Sequence, residues 1–178
     1  MDSPDHATTA APPLLYQPRF DSRNGQLVGA TLHLATPQED VIIERADATG
    51  LALLLHGCQR AGAWNSTCGR RLTLSAGARI EALCDPDFAV SLNNVLLTSR
   101  LEPGCLELNI ITGQSEIPDT CAAALRHLKA CGIRFIISVA SHTNALLAWM
   151  GRLPVDSIEV PAGLVQDLTT APEGVAIV

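Results

Sequence analysis

Ser138, Ser141 and His142 lie close together at the end of a β-branched and aromatic run, Arg134 to Val139. A hydroxyl beside an imidazole is the start of a nucleophilic site. Such a site also needs an acid to orient the base and a strained elbow such as G-x-S-x-G, and neither stands here, so the cluster reads as loop polarity. His33, His142 and Asn109 form a second grouping, two imidazoles and an amide that would ligate a metal. Without a carboxylate that set is unusual for hydrolysis, and polar residues at strand ends more often cap or face water. His56 and His127 fall within predicted helices and carry no partner signal. The six cysteines, Cys58, Cys68, Cys84, Cys105, Cys121 and Cys131, show no C-x-x-C pair and no histidine at zinc spacing. Without an export signal they are expected to stay reduced, as small buried or half-buried thiols. No cofactor is expected.

The elements that must position these groups follow from periodicity. Arg134 to Val139 reads as a buried strand, Ser141 to Gly151 has helical spacing, and Asp156 to Val160 reads as another strand: a strand, crossover and parallel strand. Chemistry in such folds gathers where strands end, so Ser138, Val139, Ala140, Ser141 and His142 hold the catalytic place, and no carboxylate stands among them. Upstream, Leu14 to Phe20 and Leu27 to Leu34 are strand-like runs joined through Asn24-Gly25, a strong hairpin turn. Asp40 to Ala46 is ambiguous, and Thr49 to Trp64 has the spacing of a core-facing helix. Arg71 to Ala76 alternates like a strand, and Asp85-Pro86-Asp87 opens a helix from Phe88 to about Leu101. Cys105 to Ile111 is a strand, Thr120 to Ala130 a helix closed by Gly132, and Pro161 to Leu168 starts a last helix. The alternation predicts an α/β fold, a mostly parallel sheet of about six strands whose first strand runs antiparallel, too few to close an eight-stranded barrel.

Composition agrees: 47% apolar and 17% charged residues suit one buried domain, and with 3% aromatics the core must be aliphatic. The net charge of −6, with no basic patch, argues against nucleic acid or an anionic membrane as partner. Residues 1–13 are polar and Pro-containing and read as a disordered leader ahead of a single domain over 14–178. No apolar run is long enough to span a bilayer, so a soluble, cytoplasmic protein is expected, in which the sequon Asn65-Ser66-Thr67 is idle.

Short stretches at compatible spacing add a resemblance. Tyr16-Gln17-Pro18, Asn24-Gly25-Gln26-Leu27-Val28-Gly29-Ala30, Ala46-Asp47-Ala48-Thr49-Gly50-Leu51, Asp85-Pro86-Asp87-Phe88, Leu106-Glu107-Leu108 and Leu153-Pro154-Val155-Asp156 occur in the order found in the EAL domain family, and the chain resembles that family from about Tyr16 onward. These bacterial cyclic di-GMP phosphodiesterases have a modified (β/α) barrel with an antiparallel first strand. The resemblance therefore implies an incomplete EAL-like barrel, truncated where the chain stops at Val178.

It also implies a two-metal hydrolytic site, at which carboxylates and an Asn hold two divalent ions and a Lys assists the attacking water. The signature Glu-Ala-Leu falls on Thr31-Leu32-His33, which puts Thr31 at the metal-binding Glu, and the phosphate-binding Arg falls on Ala35. The Asn ligand falls near Gly77, the next Glu on Asn109, the Asp-Asp pair on Ser138-Val139, the Lys on Glu159 and a following Asp on Pro161. Hard cations need oxygens with compensating charge, so the resemblance implies a domain without metal site or phosphodiesterase activity. Degenerate members act as regulators of motility, pili or biofilm through protein partners. That is the expectation here, with self-association or a partner covering the open sheet edges. The alternative is an inactive cyclic di-GMP receptor using Gln17, Pro18, Leu153, Pro154 and Asp156; the loss at Ala35 weighs against it.

Overall fold

A computed structural model describes residues 13–35, 41–44, 47–111, 119–138, 151–160 and 165. The hairpin forms as the Asn24-Gly25 pair requires. Strands β1 (Leu14–Phe20) and β2 (Leu27–Leu34) pair antiparallel, with Gly25 at φ 67° in the turn. The chain continues through β3 (Val41–Ile43) into α1 (Ala48–Cys68), capped by Asp47, whose carboxylate accepts the Gly50 N–H at 2.9 Å. Next come β4 (Thr73–Arg79), α2 (Ile80–Leu83), α3 (Phe88–Ser99), β5 (Leu106–Ile111), α4 (Asp119–Ala130), β6 (Arg134–Ser138) and β7 (Ser157–Glu159).

The strands form one curled sheet in the order β1-β2-β4-β5-β6-β7, every pairing after the hairpin being parallel. The expected strands make up this path. The ambiguous segment supplies a short extra one: β3 pairs with β4 at Gly77 and Ala78, on the flank that β2 occupies at Thr73 to Ser75, and so continues the line of β2. Residues 36–40 lie between them in sequence and outside the described residues.

One face of the sheet packs on helices. Leu32, Leu74, Ala76, Leu106, Leu108 and Phe135 join Leu54, Cys58, Leu92, Leu96 and Leu125 of the helices in one buried cluster. Each fully buried Leu or Phe contributes about 1.5–3 kcal/mol. α1 comes close because Gly57 has no side chain; a Cβ there would lie 2.6 Å from Leu32 Cδ2. Glycine serves a different end at β2, where a Cβ on Gly29 would lie 2.2 Å from the Thr73 carbonyl oxygen.

Two expectations need correction, and one element, α2, has no counterpart in the sequence reading. α1 runs on to Cys68, past Trp64, and stops at Gly69, whose φ of 61° ends the helix. α2 follows β4 with no turn between them. The expectation that all six thiols stay reduced fails for two: Cys84, just after α2, and Cys121 in α4 are joined as a disulfide with Cα atoms 4.7 Å apart. Packing α2 against α4 brings together side chains that sequence spacing kept far apart. Most of the helices expected over 141–151 and 161–168, and nearly all of the leader at 1–13, lie outside the described residues. Among the described residues no helix is long and apolar enough to cross a membrane.

Candidate functional site

The face of the sheet away from the helices is polar. Register places Gln17, Thr31, Ser75, Glu107 and Arg134 in one row across β1, β2, β4, β5 and β6. The row on the other face, Pro18, Ala30, Leu74 and Leu106, is apolar throughout. Glu107 stands between Leu106 and Leu108 in a strand, so strict alternation turns its carboxylate to the polar side. There it is buried and clamped by two guanidinium groups, Arg19 from β1 and Arg134 from β6, the latter at 3.1 Å. A buried carboxylate without a cation would be costly, and two flanking arginines offset that cost. This clamp lies toward the N-terminal ends of the parallel strands, away from the place of chemistry in such folds.

Toward the C-terminal ends stand the positions singled out above. Asn109 on β5 pairs in register with Gly77 on β4, and Ser138 on β6 with Glu159 on β7. The Asn109 amide donates to Glu159 Oε2 across the intervening strand, while its own Oδ1 is buried with no partner among the described residues. Thr31, half-buried on β2, lies opposite Gln17, whose Oε1 is 3.0 Å from His33 Nε2. Ala35 is exposed, and its N–H donates to the Pro13 carbonyl, extending the hairpin. Val139, His142 and Pro161 lie outside the described residues.

The five residues considered for nucleotide binding divide between the two outer strands. Gln17 and Pro18 are exposed on β1. Leu153 is buried in the helix-side core, Pro154 is half-buried, and Asp156 leads into β7. Asp156 works as a clasp: its carboxylate accepts the Phe135 N–H at 2.7 Å and the Lys129 ammonium, and its own N–H donates to the Phe135 carbonyl at 2.8 Å. Burial works to raise its pKa, but these bonds and the positive charges of Lys129 and Arg134 outweigh that and hold the carboxyl below its usual range.

A two-metal centre needs several anionic oxygens converging on each ion. Among the described residues the strands themselves offer, toward their C-terminal ends, the Thr31 and Ser138 hydroxyls, the Asn109 amide and one carboxylate, Glu159, already engaged by that amide, while Glu44, Asp47, Glu81, Asp85 and Asp87 stand on the segments that follow β3 and β4. Among the described residues no three His, Cys, Asp or Glu side chains gather to hold a metal. This donor set does not fit a pair of divalent cations. A cleft of about 540 Å³ lies on the helix side between β1 and α1 and is lined by residues that include Tyr16, His56, Gln59 and Arg60. Tyr16 packs edge-on to Trp64 there at 5.0 Å, and burial raises its phenol pKa although Arg60 opposes the shift.

Sequence reasoning noticed Glu107 only as part of a motif and missed the clamp. The signal was present, a lone acid flanked by leucines in a strand, but its partners are far away in sequence and needed the sheet order.

The EAL domain family matches residues 13–178 of the chain. An uncharacterized protein of Mycobacterium tuberculosis is 25% identical over 170 residues, 87% of this chain and 55% of that protein, so the chain spans about half the length of that relative. MucR of Pseudomonas aeruginosa, a bifunctional diguanylate cyclase/cyclic di-GMP phosphodiesterase, is 25% identical over 181 residues, covering 93% of this chain and 26% of MucR. The MucR phosphodiesterase in its c-di-GMP complex superposes with a TM-score of 0.69 at 20% identity over 92% of this chain and 73% of that one. The EAL domain of Mycobacterium smegmatis DcpA gives a TM-score of 0.77 at 22% identity over 92% of this chain and 70% of that one. With the matched residues covering nearly the whole chain, and with the polar-faced sheet and its antiparallel first strand in place, the chain belongs to the EAL domain family.

Proposed function

We propose that this domain acts without hydrolysis, as a regulatory or scaffolding module in bacterial cyclic di-GMP signalling whose surfaces bind a protein partner or a second copy. The observation that supports this most is the Asn109–Glu159 contact, which ties up the one carboxylate that a described parallel strand carries on its last residue. β1 and β7 each end the described sheet with one flank unpaired, and a free strand edge is a template for another chain. The test is incubation with cyclic di-GMP and Mg²⁺ or Mn²⁺, run alongside affinity capture and sedimentation. The expected result is no turnover and a stable assembly. Metal-dependent turnover that disappears on Asn109→Ala overturns the proposal, and so does a monomer that captures nothing.

A second reading is a cyclic di-GMP receptor. It is supported by the ligand in the MucR phosphodiesterase complex and by exposed Gln17 and Pro18 on β1. Calorimetric titration that shows saturable binding lost on Gln17→Ala favours it; no heat at high micromolar nucleotide ends it.

A further inference from the structure

The two ends of the sheet carry opposite charge. At the rim where the parallel strands begin, Arg70 bonds, among the described residues, only neutral groups, the Leu27 carbonyl at 3.1 Å and Gln26 Oε1 at 3.3 Å. Arg100, exposed just after α3, has no carboxylate partner among the described residues, and Arg19 and Arg134 share the single charge of Glu107. The Arg71–Glu102 pair at 2.5 Å is neutral as a unit, so the rim keeps a positive surplus. At the opposite rim, where the strands end, stand Glu44, Asp47, Glu81, Asp85 and Asp87, with Arg79 the one cation beside them among the described residues. None of the five acids meets a cation at ion-pair distance among the described residues. The rims are separated by the seven residues of β4, about 23 Å at strand rise.

Helix dipoles explain part of this pattern, because acids favour helix starts and bases favour helix ends. Each terminus carries roughly half a charge, so α1, α3 and α4 together offset about one and a half charges at each rim. The acidic rim exceeds that by a wide margin.

We propose that copies of this chain associate head to tail, the basic strand-start rim of one seating on the acidic strand-end rim of the next. This rests on the interaction reading above and names its partner as a second copy. The two surfaces differ, so the contact is heterologous and builds open chains or rings rather than a twofold dimer. Electrostatic complementarity fixes the direction of docking and makes assembly sensitive to salt.

The experiment is sedimentation velocity of the full chain in about 10 mM and about 1 M salt, where screening lengths are about 30 Å and about 3 Å. Two variants accompany it: Arg70→Glu with Arg100→Glu, and Glu81→Arg with Asp87→Arg. All four side chains are exposed. The expected result is a concentration-dependent rise in sedimentation coefficient at low salt that vanishes at high salt. Each variant alone stays monomeric, and the equimolar mixture assembles again because each reversed rim meets its complement. Assembly that persists in 1 M salt overturns this docking while leaving an interaction role standing. A wild-type monomer at low salt overturns it as well, and if the same sample captures a different protein, the interaction role survives alone. If the variants fail to fold, the wild-type salt series still decides.

Discussion

Gly29→Ala tests the packing of β2 on β4 directly. The added Cβ would sit 2.2 Å from the Thr73 carbonyl oxygen and 2.4 Å from its Oγ1, roughly 1 Å inside ordinary contact. The nearer atom belongs to the backbone, and the Thr73 hydroxyl is itself held on the Val28 carbonyl at 3.3 Å, so no rotamer change relieves the clash. β2 must move away from β4, which loosens a pairing of only three register positions, Gly29 to Thr31 against Thr73 to Ser75. Overpacking costs about 1–3 kcal/mol and each loosened hydrogen bond about 1 kcal/mol, so the total is about 3 kcal/mol or more. For a domain of this size that lowers Tm by about 6–12 °C. Gly151→Ala is the control: nothing among the described residues lies within 4 Å of its Cβ, the backbone is helical, and a gain of up to about 1 kcal/mol is expected. Urea denaturation with a fixed m-value reads both. Thr73→Ala should not rescue Gly29→Ala, since the carbonyl remains. A Gly29→Ala protein within about 0.5 kcal/mol of wild type would refute the close approach of β2 and β4.

Other outcomes follow from the same geometry. Asp156→Asn should cost about 1 kcal/mol at neutral pH, since much of the Lys129 attraction is screened by water. Because its carboxyl titrates below the unfolded value, that stability is present above about pH 4 and fades as pH falls through the folded pKa; the variant should lose this part of the acid dependence in melts run from pH 7 to 2. Thiol titration of the native, unreduced protein should find Cys68 and Cys131 reactive. Cys58, pushed up to about 12 by burial, and buried Cys105 should appear only on unfolding, and Cys84 and Cys121 only after reduction; six thiols without reductant would exclude the disulfide. Glu107→Gln should destabilise by about 1–3 kcal/mol, below the cost of breaking a fully buried pair because both arginine side chains stay partly exposed, and Glu107→Gln melts matching wild type would show that the clamp carries no weight.

Much of this fold was legible wherever a local residue forces the backbone. Asn24-Gly25 gave the hairpin, and with it the register that sets Gln17 opposite Thr31. Gly132, at φ 97°, ends the α4 region as expected. Legibility failed where tertiary context decides. Val41 to Ile43 is too short to show a period and becomes a strand because β4 offers a free flank beyond β2. Ile80 to Leu83 carries no turn signal and coils because β4 ends there. At the candidate site, the polar character of the strand ends was visible residue by residue. The contact of Asn109 with Glu159, the clamp on Glu107 and the clasp formed by Asp156 each join strands or helices distant in sequence, and no spacing rule reports them.

The division of the sheet into an apolar and a polar face has a mechanical meaning. A parallel sheet is ordinarily buried on both sides, and a closed barrel of that kind loses its core when opened. Here the apolar layer lies between strands and helices, and the opposite face carries the polar row Gln17, Thr31, Ser75, Glu107 and Arg134, in which the buried Glu107 is neutralised by its arginines. The molecule behaves energetically as two layers with one seam, so strands at its rims can be exchanged, borrowed or left unmatched while the seam holds. Such an architecture keeps its shape independently of what its polar face carries.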